Sequence, residues 1–320
     1  MEKLDLKDRK ILYQLFLDGR QSFRSIGRKV GLSKDIVVSR IQRLQENNVL
    51  LTYSILFDYF KLGLTPMRFY FKYQYITLDI KNEIINHFVN CKYSTNVYSL
   101  KGPYDLGVLM LVKNNTDIYP FWKKTLDNYG DYFEKNIFSM YMGETIYKPS
   151  FILGTIDKDY TGPMAKRSWE KVQYDDLDIN ILKLLSLNAR MPTLEIAKKL
   201  NTTALTINNR IKKLIKKRVI LGFTAWPNVK KLGFQFMKVD LYLKEHTRIN
   251  QLINYVEKSP YLIAINDTLG YADIEFEFVI HDINKLDQIV YDIYSNFPKI
   301  IKNHEVTSLE KTHKFLIMPD

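Results

Sequence analysis

Asp8-Arg9-Lys10-Ile11-Leu12 returns as Asp178-Ile179-Asn180-Ile181-Leu182, and the residues that follow, to Val49 and Val219, return with it at a constant shift of 170. Ile11 maps on Ile181, Leu15 on Leu185, Ile26 on Ile196, Arg40 on Arg210, Ile41 on Ile211 and Leu44 on Leu214. A repeat of this length marks a duplicated domain. Within the first copy, apolar residues at 11, 12, 15 and 16 make a helical stripe, entered after Asp5 and Asp8 and ended near Gly19. Ser22 can cap a second helix with Phe23, Ile26 and Val30 on one face. Gly31 supplies the positive φ that a tight helix–helix turn needs. Ser33 can cap a third helix that buries Val37, Ile41 and Leu44. Residues 50–57, rich in β-branched and aromatic side chains, read as a short strand or wing. Three helices with a tight turn between the last two, then a strand, predict a winged helix-turn-helix.

A unit of that kind lays its last helix in the major groove of double-stranded DNA. The outer face of the first copy's helix carries Lys34, Asp35, Val38, Ser39, Gln42 and Arg43; the second carries Ala204, Leu205, Asn208, Asn209, Lys212 and Lys213. Side chains near the start of such a helix reach base edges, and basic ones further along meet phosphates. Asn208 and Asn209 suit adenine, and Arg43 suits guanine or phosphate. The candidate DNA contacts are Ser33, Lys34, Ser39, Arg40 and Arg43, with Thr203, Thr206, Asn208, Asn209, Arg210, Lys212 and Lys213 in the second copy. Arg40 and Arg210 admit two readings, a phosphate contact or an internal bond bracing the domain. Asp35 and the apolar Val37-Val38 pair make the first helix the weaker reader.

Charge follows the repeat. Residues 1–51 hold eleven basic against six acidic side chains, and residues 175–226 ten against four, which accounts for +11 of the net +12. Basic charge concentrated on small helical units is the footprint of a phosphate-binding surface, although a basic face also serves solubility alone. One cysteine, Cys91, excludes a disulfide framework, and five dispersed histidines argue against a metal site. No cofactor is expected. The charged start and the lack of any long apolar run point to a cytoplasmic protein with no membrane partner.

From Thr65 the period changes. Strands are expected at 67–76, 94–100, 104–112 and 132–146, with helices at 79–90 and 116–129. The order β-α-β-β-α-β predicts a ferredoxin-like sandwich, one antiparallel sheet with two helices on one face. Its strands are apolar or aromatic on both faces, so the open face calls for a sheet-to-sheet partner. The same order recurs at 234–243, 246–258, 261–268, 272–280, 283–296 and 300–317, with Gly233 matching Gly63 and Asp273 matching Asp105. The fold class is thus α+β, in five parts. These are a helix-turn-helix at 1–56, a sandwich at 57–150, a linker at 151–174 containing Gly154, Gly162, Pro163 and Lys166-Arg167, then a second pair at 175–226 and 227–320.

These features together resemble the leucine-responsive/asparagine (Lrp/AsnC) regulator family. The residues that carry the likeness are the Asp-x-x-Ile-Leu opening, Arg40-Ile-Gln-Arg-Leu and Arg210-Ile-Lys-Lys-Leu, Lys-Leu-Gly at 61–63 and 231–233, and the Gly…Asp turns. The resemblance implies a transcription regulator whose sandwiches pair sheet to sheet and often bind a small effector, commonly an amino acid. It places that effector near Gly102, Tyr104 and Asp105, and near Gly270, Tyr271 and Asp273. Two fused copies imply an intrachain pseudo-dimer with unlike recognition helices, reading an imperfect palindrome. Exposed sheet edges and aromatic strands would permit homo-oligomers. Two rivals remain in view: an effector-sensing module without DNA, and an enzyme. Certain decarboxylases acting on sirohaem resemble this family, but the chain lacks a convergent His/Arg/Tyr cluster, and no nucleophile has a base beside it.

Overall fold

The computed structural model describes residues 4–153, 163–167 and 170–319. The first copy runs α1 (Leu6–Leu17), α2 (Phe23–Val30), α3 (Lys34–Glu46), β1 (Leu50–Phe57), β2 (Thr65–Tyr73), α4 (Leu78–Val89), β3 (Ser94–Lys101), β4 (Leu106–Val112), α5 (Asn115–Tyr129) and β5 (Phe133–Tyr147). A short β6 (Pro163–Lys166) precedes the second copy. That copy runs α6 (Asp176–Leu187), α7 (Thr193–Lys199), α8 (Ala204–Lys216), β7 (Ile220–Pro227), β8 (Gln235–Leu243), α9 (Ile249–Val256), β9 (Leu262–Leu269), β10 (Ile274–Ile280), α10 (Ile283–Asn296) and β11 (Ile301–Phe315). Among the described residues no helix is long and apolar enough to cross a membrane.

Local chemistry sets the helix ends. Asp5 and Asp175 each close a capping box with the aspartate three residues on, and Ser22, Ser33 and Thr203 cap α2, α3 and α8. Gly31 takes a φ of 69° at the turn, and Asn201 fills the same place at 50°. The expected core residues of all three helices and their apolar counterparts in the second copy are buried, apart from the partly buried Phe23 and Leu200. Each fully buried leucine or isoleucine contributes roughly 1.5–3 kcal/mol.

The stretch read as a strand or wing is a strand, and its partner lies in the other copy. β1 pairs antiparallel with β7, Tyr53 facing Ala225 and Ile55 facing Phe223, so the two helical units share one core. The seam is two-fold in its bonds. Ser54 donates to the Ser186 carbonyl and Thr224 to that of Phe16, at 2.7 and 2.8 Å. Arg20 donates to the Ala189 carbonyl, and Arg190 to that of Gln21. Gly19 N–H meets the Phe223 carbonyl at 2.8 Å, and a Cβ there would stand 2.6 Å from the Thr224 oxygen. The two recognition helices are therefore carried on one rigid body.

Each sandwich has the expected ferredoxin-like order, β5-β2-β4-β3 and β11-β8-β10-β9, with its helices packed on the outer face. The sheets do more than face one another. β11 continues onto β3, with Ser308 opposite Lys101, and β5 onto β9, with Met140 opposite Leu269. Eight strands thus close into a ring, and β6 adds to β5 outside it. Closure takes up the edges that were expected to be open for oligomerisation. Within the expected linker, Phe151 and Ile152 are buried in a 3-10 turn, and Arg167 Nε donates to the Phe57 carbonyl at 3.0 Å. Gly154 and Gly162 lie outside the described residues.

Candidate nucleic-acid interface

The two recognition helices share one frame. Ser33 Oγ accepts from Ile36 N at 3.3 Å, and Thr203 Oγ1 accepts from Thr206 N at 3.1 Å, so Ser33, Thr203 and Thr206 are occupied in part by capping. Lys34, Ser39, Asn208, Asn209, Lys212 and Lys213 are exposed, while Arg43 and Thr206 are half-buried. α3 carries three basic and two acidic residues; α8 carries four basic and no acidic ones.

Arg40 and Arg210 have internal partners. Arg40 Nη1 donates to Asp5 at 2.7 Å and Asp8 at 2.9 Å; Arg210 Nη1 donates to Asp175 at 2.6 Å and Asp178 at 3.3 Å. Asp8 and Asp178 are almost fully buried, so each arginine neutralises a carboxylate that also closes the cap of α1 or α6. These side-chain bonds raise the pKa of both arginines. Asp5 and Asp175 are held below the usual carboxylate range, first by the backbone N–H of Asp8 or Asp178 and also by their arginines. The structure thus supports the bracing reading of the matched arginines. The copies then diverge: Arg43 Nη2 donates to Asp8 at 2.7 Å, whereas Lys213, at the same position, touches Asp175 only through its field.

The turns singled out as effector sites serve the strand crossing. Gly102 (φ 131°) passes under β11, where a Cβ would meet the Val306 oxygen at 2.5 Å; Gly270 (φ 104°) passes under β5, with the Phe138 oxygen 3.2 Å away. Asp105 accepts from Tyr73 N at 2.9 Å, and Asp273 from Leu243 N at 2.7 Å. One pairing is corrected. Gly102 with Gly270 and Asp105 with Asp273 fix a shift of 168 here, so Ala272 replaces Tyr104 and Tyr271 stands at the place of Pro103. Tyr104 and Tyr271 nonetheless meet across the ring, their centroids 5.7 Å apart.

The interior of the ring is not the apolar face expected from the strands. Arg68 donates to Glu275 at 3.1 Å and Glu277 at 3.2 Å; Lys238 donates to Asp240 and Tyr70, both at 2.6 Å. Burial, then Glu275, pushes the Asp240 carboxyl up to about 7, against the pull of Lys238. Three acids face two bases there, and burial pushes the Glu277 carboxyl up as well. The signal was in the alternation of Met237-Lys238-Val239-Asp240-Leu241 and Ile274-Glu275-Phe276-Glu277-Phe278, which puts every charge on the face away from the helices.

Comparison with known proteins agrees with this geometry. The AsnC-type helix-turn-helix domain matches at residues 4–45 and again at 175–215. An uncharacterised HTH-type transcriptional regulator of Pyrococcus furiosus is 37% identical over 103 residues, which are 32% of this chain and 70% of that protein. An HTH-type transcriptional regulator of Methanocaldococcus jannaschii is 31% identical over 117 residues, 36% of this chain and 78% of that one. Among solved structures, the siroheme decarboxylase NirDL superposes with a TM-score of 0.63, covering 98% of this chain and 94% of its own, at 12% identity.

Proposed function

The chain belongs to the Lrp/AsnC family of HTH-type transcription regulators, and from that premise we propose that it reads double-stranded DNA sequence-specifically, as a single-chain pseudo-dimer with two unlike heads. The observation that carries this is the β1–β7 seam, which fixes two capped, basic recognition helices on one rigid body. In this reading Lys34, Ser39, Asn208 and Asn209 meet base edges or the nearest phosphates, and Lys212 and Lys213 meet phosphates. Arg40 and Arg210 hold the helices in place. The proposed setting is the cytoplasm. A small effector such as an amino acid near the Gly102–Asp105 and Gly270–Asp273 turns remains part of this reading, beside the role of those turns in the strand crossing.

Selection of sites from random duplex DNA at two salt concentrations tests the proposal. An enriched motif, bound with affinity that falls steeply in salt, is expected. Salt-sensitive binding without enrichment would mean a sequence-blind protein, and no binding would remove DNA from the account.

A second reading, catalysis on a tetrapyrrole, draws on the likeness to siroheme decarboxylase along nearly the whole chain. At 12% identity that likeness is one of fold. Two surface grooves on the helical layer lie at equivalent places but differ in lining, with Glu83 and His87 in one where Gln251 and Tyr255 stand in the other. Titration with an iron uroporphyrin should leave its absorption spectrum unchanged; a saturable shift would revive the enzyme.

A further inference from the structure

The two recognition helices differ at every one of their first six residues, 34–39 against 204–209. The second residue of α3 is Asp35 and that of α8 is Leu205, 170 apart and so at equivalent positions. The same capping bonds set both helix starts, so one backbone geometry presents a carboxylate in one head and an isobutyl group in the other. Leu205 keeps 70% of its surface in solvent, while Ile207, Ile211 and Leu214 of the same helix are buried. Asp35 is exposed too, and among the described residues it forms no ion pair.

The bland account is that Asp35 complements the helix dipole and that Leu205 is one of many exposed apolar side chains. Their chemistry on DNA is sharper. A carboxylate can only accept, so it fits the amino group of cytosine and is repelled by guanine O6, thymine O4 and phosphate. A leucine has nothing to offer a donor or acceptor, and it packs against the thymine methyl. We propose that Asp35 and Leu205 are the specificity-determining pair, selecting cytosine under α3 and thymine at the equivalent step under α8. This rests on the DNA-binding reading above and extends it to the asymmetry of the site.

The test is site selection with the full chain, with Asp35→Leu and with Leu205→Asp. The wild type should enrich a motif with cytosine in one half and thymine at the symmetric step of the other. Asp35→Leu should make both steps thymine and Leu205→Asp both cytosine, each preference changing on the order of tenfold. Asp35→Asn, which regains a donor at the same shape, should move the step under α3 towards adenine. A wild-type motif that stays unchanged at this step in all three variants overturns the inference while leaving sequence-specific binding intact. No wild-type motif at all would sink the DNA reading and this inference together.

Discussion

Arg40 and Arg210 match because they close the same bond onto the same two aspartates. Arg40→Ala strips the buried Asp8 of one of two guanidinium partners and should destabilise the chain by about 1–3 kcal/mol in urea melts. An unaltered midpoint would contradict the brace. Lys212 and Lys213 are exposed and should behave in the opposite way. Replacing both by alanine should leave stability alone, weaken binding to every sequence, and flatten the salt dependence by about one log–log unit per lost phosphate contact. An unchanged slope would remove those lysines from the interface. The sequence left the arginines open because their partners sit 35 and 32 residues away, a relation no local spacing reveals. Asp240 carries the pH dependence at this scale. Its folded pKa is raised from 3.8 to about 7, so its contribution is complete below about pH 4 and is lost as pH climbs through 7. Asp5 and Asp175 shift the other way, so their contribution is present above about pH 4 and is lost as pH falls through their lowered folded values. Asp240→Asn should therefore flatten the fall in Tm between about pH 5 and 8; an identical slope would place the titration elsewhere.

At the scale of elements, two strands did what their sequence could not announce. β1 reads as a strand from its own residues, but its partner β7 is a second copy of itself, met only after the whole first sandwich has been made. β5 and β11 were legible as long final strands, yet their length serves to cross into the other sheet. The glycines of the turns were visible as turn residues, and the structure shows why a side chain is excluded there. Gly102→Ala must both hold a φ of 131° and clear the Val306 oxygen, so it should cost more than about 2 kcal/mol and loosen the β3–β11 edge first. Amide exchange across that edge checks it: protection as in the wild type would mean the crossing tolerates a methyl group. The helical units were the most readable part, because caps, stripe and turn are all local. The charged ring interior was missed because its alternation was weighed as apolar content, not strand by strand.

In the whole molecule, the β1–β7 seam and the closed ring join the two copies within one chain. A symmetric dimer must present identical heads, whereas this chain holds α3 and α8 in the same relation with different side chains and different charge. The seam bonds of Ser54 and Thr224, and the closed ring below, keep that relation fixed. The half-sites are then predicted to lie about one helical turn apart and to be unlike. Hydroxyl-radical footprinting of the chain on its selected duplex tests this most directly. The account predicts two protected segments about ten base pairs apart, of different sequence, at one chain per duplex. Protection of a single half-site, or of a perfect palindrome, would contradict it.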